Sequence, residues 1–139
     1  MPPDTATHTA ALWLAKARSD LRAVEILTAA IDAPLDVIAF HAQQIAEKAL
    51  KALHYWGGAR FVLGHSLVEL LGPLLPQYPQ LAPLQEAAQR LDQYYIPTRY
   101  PNGLPGGAPF QVYTKTQAAE AVVSAQDFVA LVRAAVGPR

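Results

Sequence analysis

The chain has 139 residues, no cysteine and a formal net charge of zero at pH 7. This length predicts one domain with a core of its own, and the lack of cysteine excludes disulfides and thiolate metal sites. The balanced charge excludes a global basic field that would attract nucleic acid. Hydrophobic residues make up 52% of the chain and charged residues only 16%. Such an apolar composition favours burial of surface against a second copy, and we expect a homodimer.

The N-terminal region indicates a cytoplasmic protein. Residues 1–7 contain two prolines and small polar residues, which predicts a flexible leader ahead of a single helical domain over residues 8–136. The leader lacks a basic region followed by an apolar run, so it does not resemble a signal peptide. No apolar stretch reaches the roughly 18 residues of a membrane span, so we expect no membrane association.

The first predicted helix begins near His8, with Thr7 or Thr9 as the N-cap, and runs to about Ala30. Its apolar residues recur at spacings of three and four, which is typical of an amphipathic helix. A proline at position 34 then separates it from the next helix, because the residue before proline avoids the helical conformation.

The second predicted helix, residues 34–56, has two distinct faces when it is wound at about 100° per residue. Seven apolar residues share one face, which we expect to be core: Ile38, Ala42, Ile45, Ala49, Ala52, Leu53 and Trp56. The opposite face carries a polar stripe of His41, Gln44, Lys48 and Lys51, with Phe40 and Glu47 beside it. Gly57 and Gly58 end the helix by supplying conformations that C-caps favour.

Three further helices follow. Ser66 with Glu69 resembles a capping box at the start of a short helix, residues 81–95 show a helical repeat, and Thr114 or Thr116 begins the last helix. No stretch alternates apolar and polar residues with a period of two. The predicted fold class is therefore all-α, an up-and-down antiparallel bundle of four long helices plus one short helix.

The polar stripe of the second helix is the first candidate site. Lys48 and Lys51 can hold an anionic or nucleotide ligand, while Gln44 and His41 make directional hydrogen bonds. The alternative is a solvated or inter-helix polar face, in which Glu47 and Lys51 form an ordinary i, i+4 ion pair.

Arg60 and His65, with four residues between them, are the second candidate. An imidazole can move protons and a guanidinium can stabilise the charge that develops on a phosphorane, so a pair brought together across a dimer could cleave RNA without a metal. The alternative is that His65 is an ordinary residue of the region that caps the short helix.

The third candidate lies at the end of the fourth predicted helix and includes Tyr94, Tyr95, Arg99 and Tyr100. Aromatic faces and a guanidinium can sandwich a base and bind a phosphate. Equally, tyrosines close the ends of helical bundles because they fill space and keep a hydroxyl in water. The four histidines lack metal-ligand spacing and the carboxylates form no Glu-x-x-His pair, so we expect no metal and no cofactor.

Four segments together resemble the HEPN domain of prokaryotes and higher eukaryotes. They are Asp20-Leu21 in the first helix, residues 40–52 with their Gln-Gln-x-x-Glu-Lys-x-x-Lys run, His65-Ser66-Leu67, and Arg99-Tyr100-Pro101. The resemblance extends over about residues 9–135. It implies an all-helical bundle that commonly forms homodimers and is often encoded beside a minimal nucleotidyltransferase, as its substrate-binding or toxin partner.

Some branches of the family are metal-independent ribonucleases in which an Arg-x4–6-His motif works across the dimer. The resemblance thus leaves two hypotheses. The preferred one is a non-catalytic domain that binds a nucleotide-like anion or a nucleotidyltransferase through His41, Gln44, Lys48, Lys51 and the Arg99-Tyr100 loop. The alternative is an endoribonuclease toxin that acts on RNA through Arg60 and His65.

Overall fold

A computed structural model describes residues 3–95 and 113–137 of the chain. These residues form five α-helices and no β-strand, which confirms the all-α fold class. The helices are α1 (Pro3–Thr28), α2 (Leu35–Trp56), α3 (Leu67–Leu71), α4 (Gln85–Asp92) and α5 (Lys115–Ala135), with 3₁₀ turns at Gly72–Leu74 and Pro79–Leu84.

Helix α2 is the central helix of the bundle. It packs mainly against α1 and α5 and also contacts α3 and α4. Six of the seven predicted core residues of α2 are fully buried, and Trp56 is partly buried against the same core. Although α1, α2 and α5 are long, no helix in the described part of the chain is apolar enough over its length to cross a membrane.

Helix α1 begins at Pro3 rather than near His8, so the predicted start was wrong by about a turn and a half. Proline suits the first helical position because its fixed φ is already helical and its missing N–H would have had no partner there. Ala6 and Ala10 are buried, which shows that the early turns of α1 already pack against the core. The helix ends at Thr28, two residues before the predicted end at Ala30.

The fourth predicted helix is shorter than its apolar repeat indicated. Residues 79–84 form a 3₁₀ helix with Pro83 inside it, and only Gln85–Asp92 is α-helical. Each proline removes a backbone donor and restricts the residue before it, which disfavours a regular α-helix. Leu81, Leu84 and Leu91 are nevertheless buried, so the repeat correctly identified the side that packs on the core.

The predicted N-caps of α3 and α5 are confirmed, whereas the predicted N-cap of the first helix was wrong, because Thr7 and Thr9 both lie inside α1. Thr114 and Gln117 form a reciprocal capping box at the start of α5, with nitrogen-to-oxygen distances of 2.9 and 3.0 Å. At α3, the Ser66 hydroxyl accepts a hydrogen bond from the backbone N–H of Glu69 at 3.2 Å. Gly58, just after α2, has a φ of 100°, a conformation that glycine adopts without strain.

Candidate functional site

The polar side of α2 is only partly open to solvent. His41 is exposed and Gln44 and Lys48 are half-buried, but Glu47 and Lys51 are buried. The side chain of Lys51 is 8% exposed, so it offers little surface to a ligand. The exposure of the predicted stripe therefore decreases along α2, from the exposed His41 to the buried Lys51. The reason is that α1 and the segment after α2 cover its C-terminal half.

Glu47 is the centre of a polar cluster. One of its carboxylate oxygens lies 3.1 Å from Lys51 Nζ, which confirms the predicted i, i+4 pair. The other lies 3.0 Å from His65 Nδ1 and 3.5 Å from the side-chain nitrogen of Gln44. The Lys51 ammonium also lies 5.8 Å from the centre of the Trp13 ring, within the range of a cation–π contact. Every charge brought into this buried region thus has a partner.

His65 belongs to the same cluster although it lies outside α2. Gln43 donates a hydrogen bond from Nε2 to the backbone carbonyl of His65 at 2.8 Å, and Glu47 contacts the ring at Nδ1. The imidazole stacks on the Tyr95 ring with centroids 4.9 Å apart and planes 17° from parallel. Tyr95 in turn lies 6.0 Å from the Phe40 ring. His65 is nonetheless 56% exposed, so the ring is held in place and accessible.

Lys48 is paired with Asp20 of α1. Asp20 also lies 3.0 Å from Lys16 Nζ, so one carboxylate sits between two ammonium groups. Burial alone would raise the pKa of Asp20, but hydrogen bonds from Lys48 and Lys16 outweigh it and lower that pKa. The three side chains together carry a net positive charge of one, which a ligand anion can approach from the half-buried Lys48.

The remaining predicted site residues lie apart from this cluster or outside the described residues. Arg60 is exposed in the segment after α2 and makes no hydrogen bond or ion pair with any other described residue. Arg99 and Tyr100 fall outside the residues that the structure describes. The structure therefore brings His65 to the stripe of α2 and does not bring Arg60 with it.

Sequence reasoning missed how the parts of the cluster meet. The sequence placed Glu47 beside the stripe and in an i, i+4 pair, and Asp20 in a segment that resembles the family, but it predicted for neither residue a contact outside its own helix. Asp20 lies 28 positions from Lys48, and Glu47 lies 18 positions from His65. No local pattern reports such contacts. The one available signal was a run of polar residues on successive turns of an otherwise apolar helix.

The Glu47 cluster and the neighbouring Lys48–Asp20 pair together offer the imidazole edge of His65, the amide of Gln44 and the ammonium of Lys48. The rings of Phe40 and Tyr95 lie beside His65. These groups can bind a phosphate, donate to or accept from a sugar or base, and stack on a planar ring. Within residues 3–95 and 113–137, no group of three histidine, aspartate or glutamate side chains is arranged to hold a metal ion.

Comparisons with known proteins agree on one family. The family model of the HEPN domain matches residues 10–135. TT1696 from Thermus thermophilus is 41% identical, with a TM-score of 0.81 over 90% of this chain and 96% of that one. ST0689, described as an archaeal HEPN homologue, is 28% identical, with a TM-score of 0.74 over 92% and 98% of the two chains. No curated protein matches the sequence.

Proposed function

Since the chain belongs to the HEPN domain family, we propose that it is a binding module whose α2 surface holds a nucleotide-like anion. The surface consists of His41, Gln44 and Lys48 of α2 with His65 from the following segment. The observation that carries the proposal is the accessible His65 ring, which stacks on Tyr95 and contacts Glu47 one position before Lys48.

Each residue has a distinct role in the proposal. Lys48 neutralises a phosphate, and its link to Asp20 holds the ammonium at the surface. Gln44 Nε2 already donates to Gln43 Oε1 at 2.7 Å and to Glu47 at 3.5 Å, so its side-chain oxygen is the group that accepts a hydrogen bond from the ligand and orients it. A base stacks beside His65 and Tyr95, since every base offers a π-face to an aromatic ring. Lys51 acts indirectly, as the buried partner of Glu47.

Arg99 and Tyr100 complete the proposed surface by sequence position. Both residues lie outside the part of the chain that the structure describes, and in the sequence they follow Tyr95 by four and five positions. A guanidinium at this point would add a bidentate contact to a phosphate.

The proposed partners follow from the family. We propose a homodimer, and a minimal nucleotidyltransferase as the protein partner. Exposed apolar side chains near the site suit such contacts: Phe61 is 85% exposed and Leu63 is 86% exposed in the segment that leads to His65.

Titration calorimetry with adenine, guanine, cytosine and uracil nucleotides tests the ligand proposal. We expect wild-type protein to bind at least one of them and Lys48→Met to bind it about tenfold more weakly, as expected for loss of one charge-assisted hydrogen bond. Arg133→Gln is the control, because it removes one positive charge from an exposed site in the last turn of α5. If Lys48→Met and Arg133→Gln lost nucleotide affinity equally, or if the wild type bound no nucleotide, the proposal would be contradicted.

A second experiment tests the protein partner. The chain is co-expressed with a minimal nucleotidyltransferase from the same organism, and the complex is isolated through a tag on the enzyme. We expect a stable complex that Phe61→Ser weakens. Failure to co-purify would remove the partner from the proposal and leave the nucleotide site to be judged by calorimetry alone.

The metal-independent endoribonuclease is the second candidate function, favoured by one observation. A buried carboxylate that holds an accessible imidazole, as Glu47 holds His65, is an arrangement suited to general acid–base chemistry. In this candidate Arg60 of a second copy would stabilise the phosphorane. Expression in a bacterial host with measurement of growth and RNA integrity tests it, with His65→Ala and Arg60→Ala as inactive variants. Harmless wild type, or toxicity that survives His65→Ala, excludes this candidate.

A further inference from the structure

His65 is restrained on its backbone, its ring edge and its ring face. Gln43 binds its backbone carbonyl at 2.8 Å, Glu47 contacts Nδ1 at 3.0 Å, and Tyr95 stacks at 4.9 Å. A surface histidine with 56% of its side chain exposed would otherwise be free to choose among rotamers. Three restraints from three different residues leave one ring edge, that of Nε2, without a partner among the described residues.

The contact with Glu47 also selects the position of the ring proton. Glu47 binds the Lys51 ammonium in a region where both side chains are less than one tenth exposed, and a carboxylate in an ion pair only accepts hydrogen bonds. His65 must therefore donate from Nδ1. In the neutral ring the other nitrogen, Nε2, then carries the lone pair and accepts.

We propose that Glu47 is a positioning residue that presents Nε2 of His65 as a hydrogen-bond acceptor, and that the ligand offers a sugar hydroxyl to it. This inference rests on the proposed nucleotide site and names the part of the nucleotide that His65 recognises. An ionised phosphate has only acceptor oxygens, so it suits the Lys48 ammonium and not the lone pair of Nε2. The sugar lies between base and phosphate and carries the hydroxyl donors.

The proton position can be measured without a ligand. Long-range ¹H–¹⁵N spectra recorded through a pH titration assign the tautomer of each neutral histidine. We expect His65 to carry its proton on Nδ1 in the wild type. The double variant Glu47→Leu with Lys51→Leu removes both buried charges together, and we expect it to shift His65 towards the Nε2–H form. A wild-type ring protonated on Nε2 would overturn the inference.

The ligand contact is tested with nucleotides that differ by one hydroxyl. For the nucleotide that binds most tightly, affinities are measured for the ribose, 2′-deoxy and 3′-deoxy forms, with wild type and His65→Phe. Phenylalanine retains a ring to stack on Tyr95 but has no acceptor. We expect removal of one of the two hydroxyls to weaken wild-type binding about fivefold to tenfold and to have no effect on His65→Phe.

The sugar contact of His65 and the nucleotide site as a whole can be excluded separately. If the wild type binds ribose and deoxy forms equally, or if His65→Phe keeps the full preference, the sugar contact is excluded and the nucleotide site stands. If the wild type binds no nucleotide, the proposed function itself fails. Even then, the spectra decide separately whether Glu47 positions the His65 ring.

Discussion

Lys51 Nζ lies 3.1 Å from Oε2 of Glu47, and the two side chains are 8% and 7% exposed. An ion pair this deeply buried is sensitive to the loss of one partner, because the remaining charge is left in a region of low dielectric. Its net contribution to stability is small by comparison, since taking both charges out of water offsets most of their attraction.

The first prediction therefore concerns the coupling between Glu47 and Lys51. We expect Glu47→Leu to lower the free energy of unfolding by about 3 kcal/mol, because it strands the Lys51 ammonium. The double variant Glu47→Leu with Lys51→Leu should recover at least half of that loss. Urea unfolding of the wild type, the two single variants and the double variant measures the coupling. Strictly additive single effects would show that the pair is not buried as described.

The second prediction is a pH dependence that arises from Asp20. Its pKa in the folded protein is lowered below the ordinary value of 3.8 by hydrogen bonds from Lys48 and Lys16. Because the folded protein binds that proton more weakly than the unfolded chain, the stabilisation is present above about pH 4 and is lost as the pH falls through the folded pKa.

Asp20→Asn tests this dependence. At neutral pH we expect the variant to be less stable than the wild type by about 1 kcal/mol, since the pairs are partly solvated. The difference should shrink as the pH falls below about 4, because the unfolded wild-type chain takes up the Asp20 proton there before the folded protein does. Urea unfolding at a series of pH values provides the measurement. A difference independent of pH would mean that the ion pairs contribute nothing.

The third prediction concerns the start of α3, where Asp92 of α4 accepts three hydrogen bonds. They come from the Ser66 hydroxyl at 2.9 Å and from the backbone N–H groups of Leu67 at 2.7 Å and Val68 at 3.1 Å. Carboxylates are favourable at this helix end, both as acceptors and by charge.

We expect Asp92→Ala to destabilise the protein by about 2 kcal/mol and to speed amide hydrogen exchange at Leu67 and Val68. Asp92→Asn retains one acceptor oxygen and should lose less than half as much. Unchanged exchange at the two amides in Asp92→Ala would contradict the role of Asp92 in holding α3.

The fourth prediction concerns Tyr113, which packs edge-on against Tyr94 with ring centroids 5.2 Å apart. Burial, followed by the nearby Tyr94 and Asp36, raises the pKa of Tyr113 to about 12 from the ordinary value of 10. The unfolded chain therefore loses this proton first. The stabilisation that arises from this difference in pKa is fully present below about pH 10 and is lost as the pH rises towards 12.

Tyr113→Phe removes the group that titrates. We expect its stability to decline less than that of the wild type between pH 10 and pH 12, while the difference at neutral pH reports only the constant effect of the hydroxyl. Chemical unfolding at fixed temperature, repeated over the alkaline range, checks this. Parallel declines in the two proteins would assign the alkaline loss to other groups.

Local patterns in the sequence carried the prediction of the fold. The spacing of Ile38, Ala42 and Ile45 identified the core face of α2, because residues three and four apart share one side of any α-helix. Thr114 was predicted as one of two possible N-caps of the last helix because threonine side chains cap helices locally, and the structure then showed its reciprocal pair with Gln117. Prediction failed where local signals competed, as at Pro83, whose ring interrupts an apolar repeat that otherwise favours an α-helix.

The sequence by itself determined that this protein is an all-helical bundle of the HEPN type with polar residues on the helix that became α2. Only the tertiary structure decided which of those residues are available to a ligand. Lys51 is buried with Glu47, and Lys48 forms an ion pair with Asp20. His65, which lies 18 positions after Glu47 in the sequence, contacts its carboxylate. Helical periodicity assigns a side chain to a face, but the packing of other segments decides whether that face is solvent or interior.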